Sequence, residues 1–476
     1  MKHTLALLSF LFTFHCIANA QEKWNLKSVV EYAMANNIRV KQSEVDAMRT
    51  KLNYDQSRAA LIPNLSLSTG ASFNSGNNQD PITFNRITQS YVGASVQLQS
   101  STEIFNFFSK RNTILANEWE WMASKANVDK LKYDIALTAA NGFLQVLLAM
   151  EQEKIAEVQV KQTAAQLSNT RKMVDAGTVP ELNATQLEAQ LSLDSVNLVS
   201  AKGNTVQSIL LLKSYMNIDA ATPFEVDAPP VELIPIEPIA ALEPEFVYQT
   251  ALLNQPLQKA NAFRLKAARK WEAASKGAMM PTLAAFGNLA SAYNNQTLEI
   301  SGSTPVFTPI GVVEVGGVDY QVLPIQPFQQ FSYTKPGFTN QLSNNFRKSI
   351  GLSLSVPLFN GNSLRTAWRR NKLNVKTLEL QQTLDDQTLK QDIYTAHNNA
   401  VVALQRYEAS KKNVAANEQA FEFANKRLEV GMLNTFEWIT IQNNLLSARL
   451  NYAISQYDYV FKMKVLEFYK GQGLKL

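Results

Sequence analysis

"LEVGMLNTFE", residues 428–437, sets one glycine into a stretch that otherwise reads as helix for scores of residues on either side. "VDAGTVPELN", residues 174–183, makes the same interruption earlier in the chain. Setting residue n against n+254 extends the match. Phe105-Asn106 falls on Phe359-Asn360, Arg111 on Arg365, Lys172 on Lys426, Asp175 on Glu429, Gly177 on Gly431, Leu191 on Leu445 and Asn197 on Asn451. The stretch between "IFN" or "LFN" and the glycine therefore has one length in both halves, as a rigid element requires and a loop does not. The pattern is read as an internal duplication.

That stretch, about residues 107–175 and 361–429, holds glycine only at Gly142 and at the Gly361 entry, and no proline. It is rich in Ala, Leu, Lys, Gln and Glu, all good helix formers. A single helix of about 65 residues would reach ~100 Å at ~1.5 Å per residue, several times the ordinary globular length. Charges recur along it, so a coiled coil or helical repeat is expected rather than a membrane-spanning helix. Leu445, Tyr452, Tyr459 and Leu466 fall seven apart with Ile441, Ala448 and Ser455 between them, an a/d-like seam. Leu137 and Leu144, then Leu191 and Leu198, repeat the spacing. Helices this long are expected to build an elongated shaft that turns back at its far end. Gly431 and Gly177 suit that turn because glycine adopts φ > 0 cheaply. Asn434 or Thr435 can cap one returning helix, and Pro180 suits the first turn of the other.

Elsewhere the chain is chemically sparse. The N-terminus, "MKHTLALLSFLFTFHCIANA", has an apolar run from Leu5 to Ile17 and then Ala18-Asn19-Ala20, a secretory signal expected to be cut after Ala20. The sole cysteine, Cys16, lies in it, as do His3 and His15, which leaves His397 as the only histidine of the mature chain. Metal sites built on His or Cys and Cys-His catalysis are excluded by that count. No P-loop or dinucleotide fingerprint is present. The reading is of a protein that is not an enzyme and takes no cofactor. A net charge of +5, thinly spread, gives no footprint for nucleic acid.

Four segments alternate with period two. Leu65, Leu67, Thr69, Ala71 and Phe73 share one parity in "PNLSLSTGASF", as do Val92, Ala94, Val96 and Leu98 in "YVGASVQLQ". Ile350, Leu352, Leu354 and Val356 do so in "SIGLSLSV", and Leu283, Ala285, Leu289 and Tyr293 do so more weakly in the segment from Pro281. An apolar face opposite one of Ser and Gln, over about 9 to 11 residues, is what a transmembrane β-strand needs; a soluble antiparallel sheet alternates in the same way. The absence of Lys and Glu from the polar face, together with the export signal, favours the membrane. Four strands cannot close a barrel, and open edges in lipid leave backbone groups unsatisfied, so identical subunits are expected to complete it. Phe105, Phe107, Phe108 and Phe359 cluster at the strand exits, where an aromatic girdle or a buried aromatic core would fit.

The expected plan is α+β but mainly α. A signal at 1–20 precedes a first repeat at 21–221 with a strand hairpin at 64–99. A Pro-rich linker at 222–245 leads to a second repeat at 246–476 with a hairpin at 281–357. Residues 74–86 read as a polar loop, and 294–342 as a longer one with local structure of its own.

This order of elements resembles the TolC family of outer-membrane efflux channels over essentially the whole mature chain. The resemblance is carried by "IPNLSLS" and "MPTLAAF" at the strand entries, "SVPLFNGNSLR" at the strand exit and "VGMLNTFEWITIQNNLLSARLNY" after the second turn. It implies a homotrimer whose twelve strands form one outer-membrane barrel, set in outer-membrane lipid and continued by a coiled-coil-like helical tunnel into the periplasm. It also implies a periplasmic adaptor (membrane fusion) protein and an inner-membrane transporter of RND, ABC or MFS type. The tips Gly177, Thr178, Val179, Gly431, Met432 and Leu433 would then be the docking turns. Acidic residues six and nine positions after the tip glycine form constriction rings in that family. Here those positions hold Glu437 and Thr440 in the second half, and Asn183 stands at plus six in the first. Glu437 is equally a good first-turn residue beside the positive end of a helix dipole. Leu428 and Leu433 near the turn suggest a more apolar closure. Small-molecule efflux, type I protein secretion and a non-channel periplasmic coiled-coil scaffold all remain open at this point.

Overall fold

The computed structural model describes residues 23–79, 84–227, 231 and 234–470; the leader expected at 1–20, with Cys16, lies outside the described residues. Helices α1 (Leu26–Asn36) and α2 (Ile38–Ala59) lead into strands β1 (Asn64–Gln79) and β2 (Arg86–Phe105). The long helix α3 (Ser109–Asp175) follows, then α4 (Glu181–Met216), α5 (Pro244–Asn254) and α6 (Pro256–Gly277). The remainder is β3 (Thr282–Asn294), β4 (Glu299–Val306), β5 (Gly311–Val315), β6 (Val318–Val322), β7 (Phe328–Thr334), α7 (Phe338–Asn344), β8 (Arg347–Ser355), α8 (Ser363–Glu429) and α9 (Thr435–Tyr469).

The two longest helices, α3 and α8, are 67 residues each. They begin at Ser109 and Ser363 and end at Asp175 and Glu429, so both ends keep the offset of 254. Before the strands a different offset applies. Leu26–Asn36 and Ile38–Ala59 match Pro244–Asn254 and Pro256–Gly277 at 218. The difference between the two offsets is absorbed between β3 and β8, where the second half carries extra chain.

The chain forms two compact units, each drawing on both sequence halves. The first takes the segment ending at Asn53 with Ala116–Ala268 and the chain from Leu373. Its core runs along the long helices: Ile135, Phe143, Leu144 and Leu147 of α3 pack with Leu212 and Met216 of α4 and with Val29 and Val30 of α1. Among the described residues α3 holds the one stretch long and apolar enough to cross a membrane as a helix, and 56% of that window is buried inside the unit. Its apolarity therefore serves the core. The expected seam of α9 is also buried at Leu445, Ala448, Ser455 and Leu466, while Tyr452 and Tyr459 stack on either side of Tyr407 at 5.7 and 5.8 Å. The linker packs against this unit. Phe224 stacks on Trp24, Leu242 is fully buried, and the Glu237 amide donates to Glu467 Oε1 at 2.6 Å.

The second unit, Tyr54–Leu115 with Arg269–Lys372, contains a four-stranded antiparallel sheet in the order β1-β2-β3-β8. Residues directly opposite in an antiparallel pair share a face. The register sets Leu67 against Leu98, Leu98 against Leu289, and Leu283 against Leu354, with Ala285 against Leu352. The apolar parities expected on the four strands therefore fall on one side of one sheet. That side is bare: Leu65, Leu67, Leu352 and Leu354 are exposed, and Ile350 is 91% exposed.

One boundary differs from the sequence reading, and one segment expected to have structure of its own does so. The expected loop at 74–86 is mostly strand, since β1 and β2 pair without a break from Asn64↔Ser101 to Gln79↔Arg86. Beyond Phe73 the face that was apolar turns polar, so the hydrophobic alternation ends although the backbone ladder continues. Side chains reinforce it there, with Ser75 and Ser90 hydroxyls 2.7 Å apart and Thr88 Oγ1 donating to Asn77 Oδ1 at 2.7 Å. The long segment 294–342 contains two separate hairpins, β4–β7 and β5–β6, and helix α7. α7 is tied to β3 by Ser291 Oγ donating to the Leu342 carbonyl at 2.7 Å and by the Asn294 amide donating to Gln341 Oε1 at 2.9 Å.

Candidate functional site: the helical tips

Both long helices end in the same backbone device. At the first tip the Gly177 amide donates to the Val174 carbonyl at 2.8 Å and the Thr178 amide to the Met173 carbonyl at 2.9 Å. At the second, Gly431 donates to Leu428 at 3.1 Å and Met432 to Arg427 at 2.8 Å. This paired closure of the last carbonyls is a Schellman turn, and it places its glycine in the left-handed region. The φ values are +70° and +73°.

The returning helices start differently. Asn434 is the N-cap of α9 and its side chain accepts from the Glu437 amide at 2.8 Å. At the first tip Pro180, expected inside the first turn, occupies the N-cap position of α4 and makes no side-chain cap bond. A proline there still presets φ for helix entry.

Four helices meet just behind the tips. Leu167 of α3, Ala184 and Leu187 of α4, Ala424 of α8 and Trp438 of α9 form one buried cluster. Trp438 donates its indole N–H to Asn425 Oδ1 at 2.7 Å. Leu428 and Leu433, expected to give an apolar closure of the passage, pack against this cluster. Their apolar surface is engaged within the chain, so within this chain they serve to hold the hairpins together.

The candidate constriction residues are polar. Glu437 and Thr440 are exposed on α9 and Asn183 is half-buried on α4. Thr440 donates its hydroxyl to the Phe436 carbonyl one turn back, at 2.9 Å. The Glu437 carboxylate lies in the first turn, where the helix dipole favours it. Of the docking residues, Gly177, Thr178, Gly431 and Met432 are exposed, and Val179 and Leu433 are half-buried.

The profile of the outer membrane efflux protein family matches residues 29–217 and 247–468. The chain belongs to that family. It is 20% identical over 467 residues to the outer membrane protein TolC of Escherichia coli K12, covering 97% of this chain and 84% of TolC. Its fold is that of the Campylobacter jejuni CmeC outer membrane channel, with a TM-score of 0.73 at 16% identity over 94% of this chain and 86% of CmeC. The open-state MtrE outer membrane channel of Neisseria gonorrhoeae gives 0.71 at 18% identity over 94% and 89%. The protein is thus an outer-membrane efflux channel with a periplasmic helical extension.

For an efflux channel, one feature near the tips was not anticipated from sequence. Asp194 of α4 is buried and takes hydrogen bonds from neutral donors: Thr163 Oγ1 at 2.6 Å, Gln190 Nε2 at 2.8 Å and Gln159 Nε2 at 3.4 Å. Gln442 of α9 reaches Thr163 at 3.1 Å, and Gln190 pairs with Asn443 at 3.3 Å. This network ties α3, α4 and α9 together. Its signal is readable in hindsight: Gln159/Thr163 and Gln190/Asp194 are polar pairs at helical spacing within an apolar seam.

Proposed function

We propose that three copies close one twelve-stranded barrel and that the assembled channel is the passive exit duct of a tripartite efflux system. In this reading the chain is an internal duplication. The tips Gly177, Thr178, Val179, Gly431, Met432 and Leu433 receive a periplasmic adaptor, which links the duct to an inner-membrane transporter. Small molecules pass from the pump to the exterior without chemical change.

The observation that carries this is the sheet of the second unit. It has an apolar face exposed along both edge strands, and those edges, β1 and β8, are unpaired. Such edges cannot stand in lipid, and cyclic closure by identical neighbours is the simplest way to pair them. An apolar stripe of Leu182, Leu193, Val196 and Val199 exposed on α4 supports contact between copies.

Glu437, Thr440 and Asn183 are the proposed constriction, with three Glu437 carboxylates around one axis. Like charges in a narrow passage favour cations. The test is conductance of the purified protein in planar bilayers. Glu437→Gln is expected to lower cation preference by severalfold with the open-channel current retained. A protein found soluble in the periplasm, without conductance, would sink the reading. Deleting the gene is expected to raise sensitivity to small toxic solutes; loss of a secreted protein instead would assign the duct to protein export.

A further inference from the structure

The sheet has two ends of different chemistry. Asn64, Phe105, Thr282 and Ser355 lie at one end, as the pairs Asn64↔Ser101, Leu283↔Phe105 and Thr282↔Ser355 require. Helices α2, α3, α6 and α8 all attach there, whereas the short α7 enters β8 at the other end. The segments of the second unit at this end are 54–62, 106–115, 269–280 and 356–372. They carry ten Lys and Arg against two acids, Asp55 and Glu272. Strands β1 and β3 contain no charged residue; β2 has Glu103 near this end and Arg86 at the other, and β8 has Arg347 and Lys348 at the other.

The positive charge is on the surface. Arg111, Lys276, Arg365, Arg369, Arg370 and Lys372 are all exposed. Arg365, Arg369 and Lys372 follow one another at i, i+4 and i+7, on one face of α8. Helices α3 and α8 begin here with basic residues and no acid in the first turn, which opposes the helix dipole. At the tips the returning helices begin with Glu181 and Glu437 instead. Lys110 is engaged within the chain, donating to the Ala60 carbonyl at 3.1 Å and lying 3.5 Å from Glu103 Oε2. Arg111 and Arg365 stay exposed against the dipole, where an external anion would offset them.

Apolar groups border the same belt. Leu358 and Phe359 are 92% and 89% exposed, and Phe105, Phe107 and Phe108 form an exposed aromatic group with ring centroids 4.9 and 5.9 Å apart. Phe107 and Phe108 hold φ of 49° and 62°, a conformation that bulky residues rarely adopt. Their counterparts at the offset of 254, Gly361 and Asn362, adopt the same region at φ 63° and 63° with residues suited to it. Two phenylalanines are thus retained where glycine and asparagine would fit with less strain.

We infer that this belt binds the anionic headgroups of phospholipids in the periplasmic leaflet, with the phenylalanines seated at the acyl boundary. The inference rests on the proposed crossing of the bilayer by the sheet. An apolar band, an aromatic border and then a cluster of exposed cations is the order met on passing from hydrocarbon to a negatively charged headgroup layer. Clustered Lys and Arg are attracted to anionic lipid, and the attraction is screened by salt.

The experiment uses the full-length mature chain in nanodiscs of phosphatidylcholine with and without phosphatidylglycerol, with retained lipid counted by native mass spectrometry. Phosphatidylglycerol is expected to be enriched over phosphatidylcholine, less so at about 0.5 M salt. The variant Arg365→Gln/Arg369→Gln/Arg370→Gln should lower that preference by about tenfold or more, given roughly fivefold for each basic residue near the surface. If that variant does not assemble, Arg111→Gln/Lys276→Gln, on two other helices, is expected to give a smaller loss in the same direction. Equal retention of the two lipids by the wild type overturns the inference. So does a variant that keeps its lipid preference but changes the anion selectivity of the pore, because the cations would then face the passage. Either result leaves conductance in neutral bilayers intact; absence of conductance from the wild type is the separate failure of the channel reading.

Discussion

The two halves of the chain repeat a backbone and not a set of side chains. At the tips the same Schellman turn is followed by an asparagine cap in one half and an uncapped proline in the other. At the strand exits the same pair of left-handed residues is Phe107-Phe108 in one half and Gly361-Asn362 in the other. Asp194, buried in a polar network, stands where the second half has Ala448, also buried. Geometry is held constant where helices of fixed length must begin and end. Chemistry diverges at those points, as it would if, in the proposed duct, matching elements of the two halves lined different parts of the wall.

Exchanging residues between counterpart positions tests this. The largest effect is expected from Asp194→Ala, which copies Ala448 and strands the Thr163 and Gln190 donors. Each buried group left unsatisfied costs ~1–3 kcal/mol, so a fall in the thermal midpoint of the detergent-purified protein of many degrees is expected; an unchanged midpoint would mean that water replaces the carboxylate. Next, Gly361→Phe with Asn362→Phe, which copies the first half, should cost about 1–2 kcal/mol for each residue forced into the left-handed region. The reverse exchange, Phe107→Gly with Phe108→Asn, should raise the midpoint in detergent while weakening retention in membranes. Loss of the Asn434 cap in Asn434→Ala should cost ~1 kcal/mol, and Pro180→Ser should recover part of the asymmetry by adding a cap to α4.

The smallest expected effect is in pH dependence. Burial pushes the Glu120 carboxyl above the usual carboxylate range, an effect partly opposed by Arg264. Its charged form is disfavoured in the folded chain, so its contribution to stability is present at acid pH and is lost as pH rises through the raised value. The counterpart is Asn374. Glu120→Asn should flatten stability measured across that window, and a midpoint that keeps its slope with pH would assign the dependence to another group.

Much of the fold was legible because it is written in periods. The 67-residue helices, their tip glycines and the shared apolar face of four strands all follow from spacing that rigid elements enforce. What escaped was structure without a hydrophobic signature. β1 continues to Gln79 through Ser, Gly and Asn on both faces, and backbone pairing needs no alternation to persist. The local structure expected in 294–342 could not be resolved into the pairs β4–β7 and β5–β6 among prolines and glycines. For the turns, sequence located Gly177 and Gly431, but it could not tell that Leu428 and Leu433 pack against the buried cluster that contains Trp438. Periodicity identifies an apolar residue; only tertiary packing decides which neighbour covers it.

The open edges of the sheet bear on how such a chain is made. β8 is nine residues long and β1 sixteen, so a β8 that paired with a neighbour's β1 would leave part of the longer strand without a partner. A lone subunit entering the bilayer would also carry two rows of unsatisfied amides and carbonyls into hydrocarbon. If identical subunits close the barrel, as proposed, insertion followed by association is disfavoured. Subunits would then meet before or during entry, and the concentration of newly exported chains should set the rate at which channels mature.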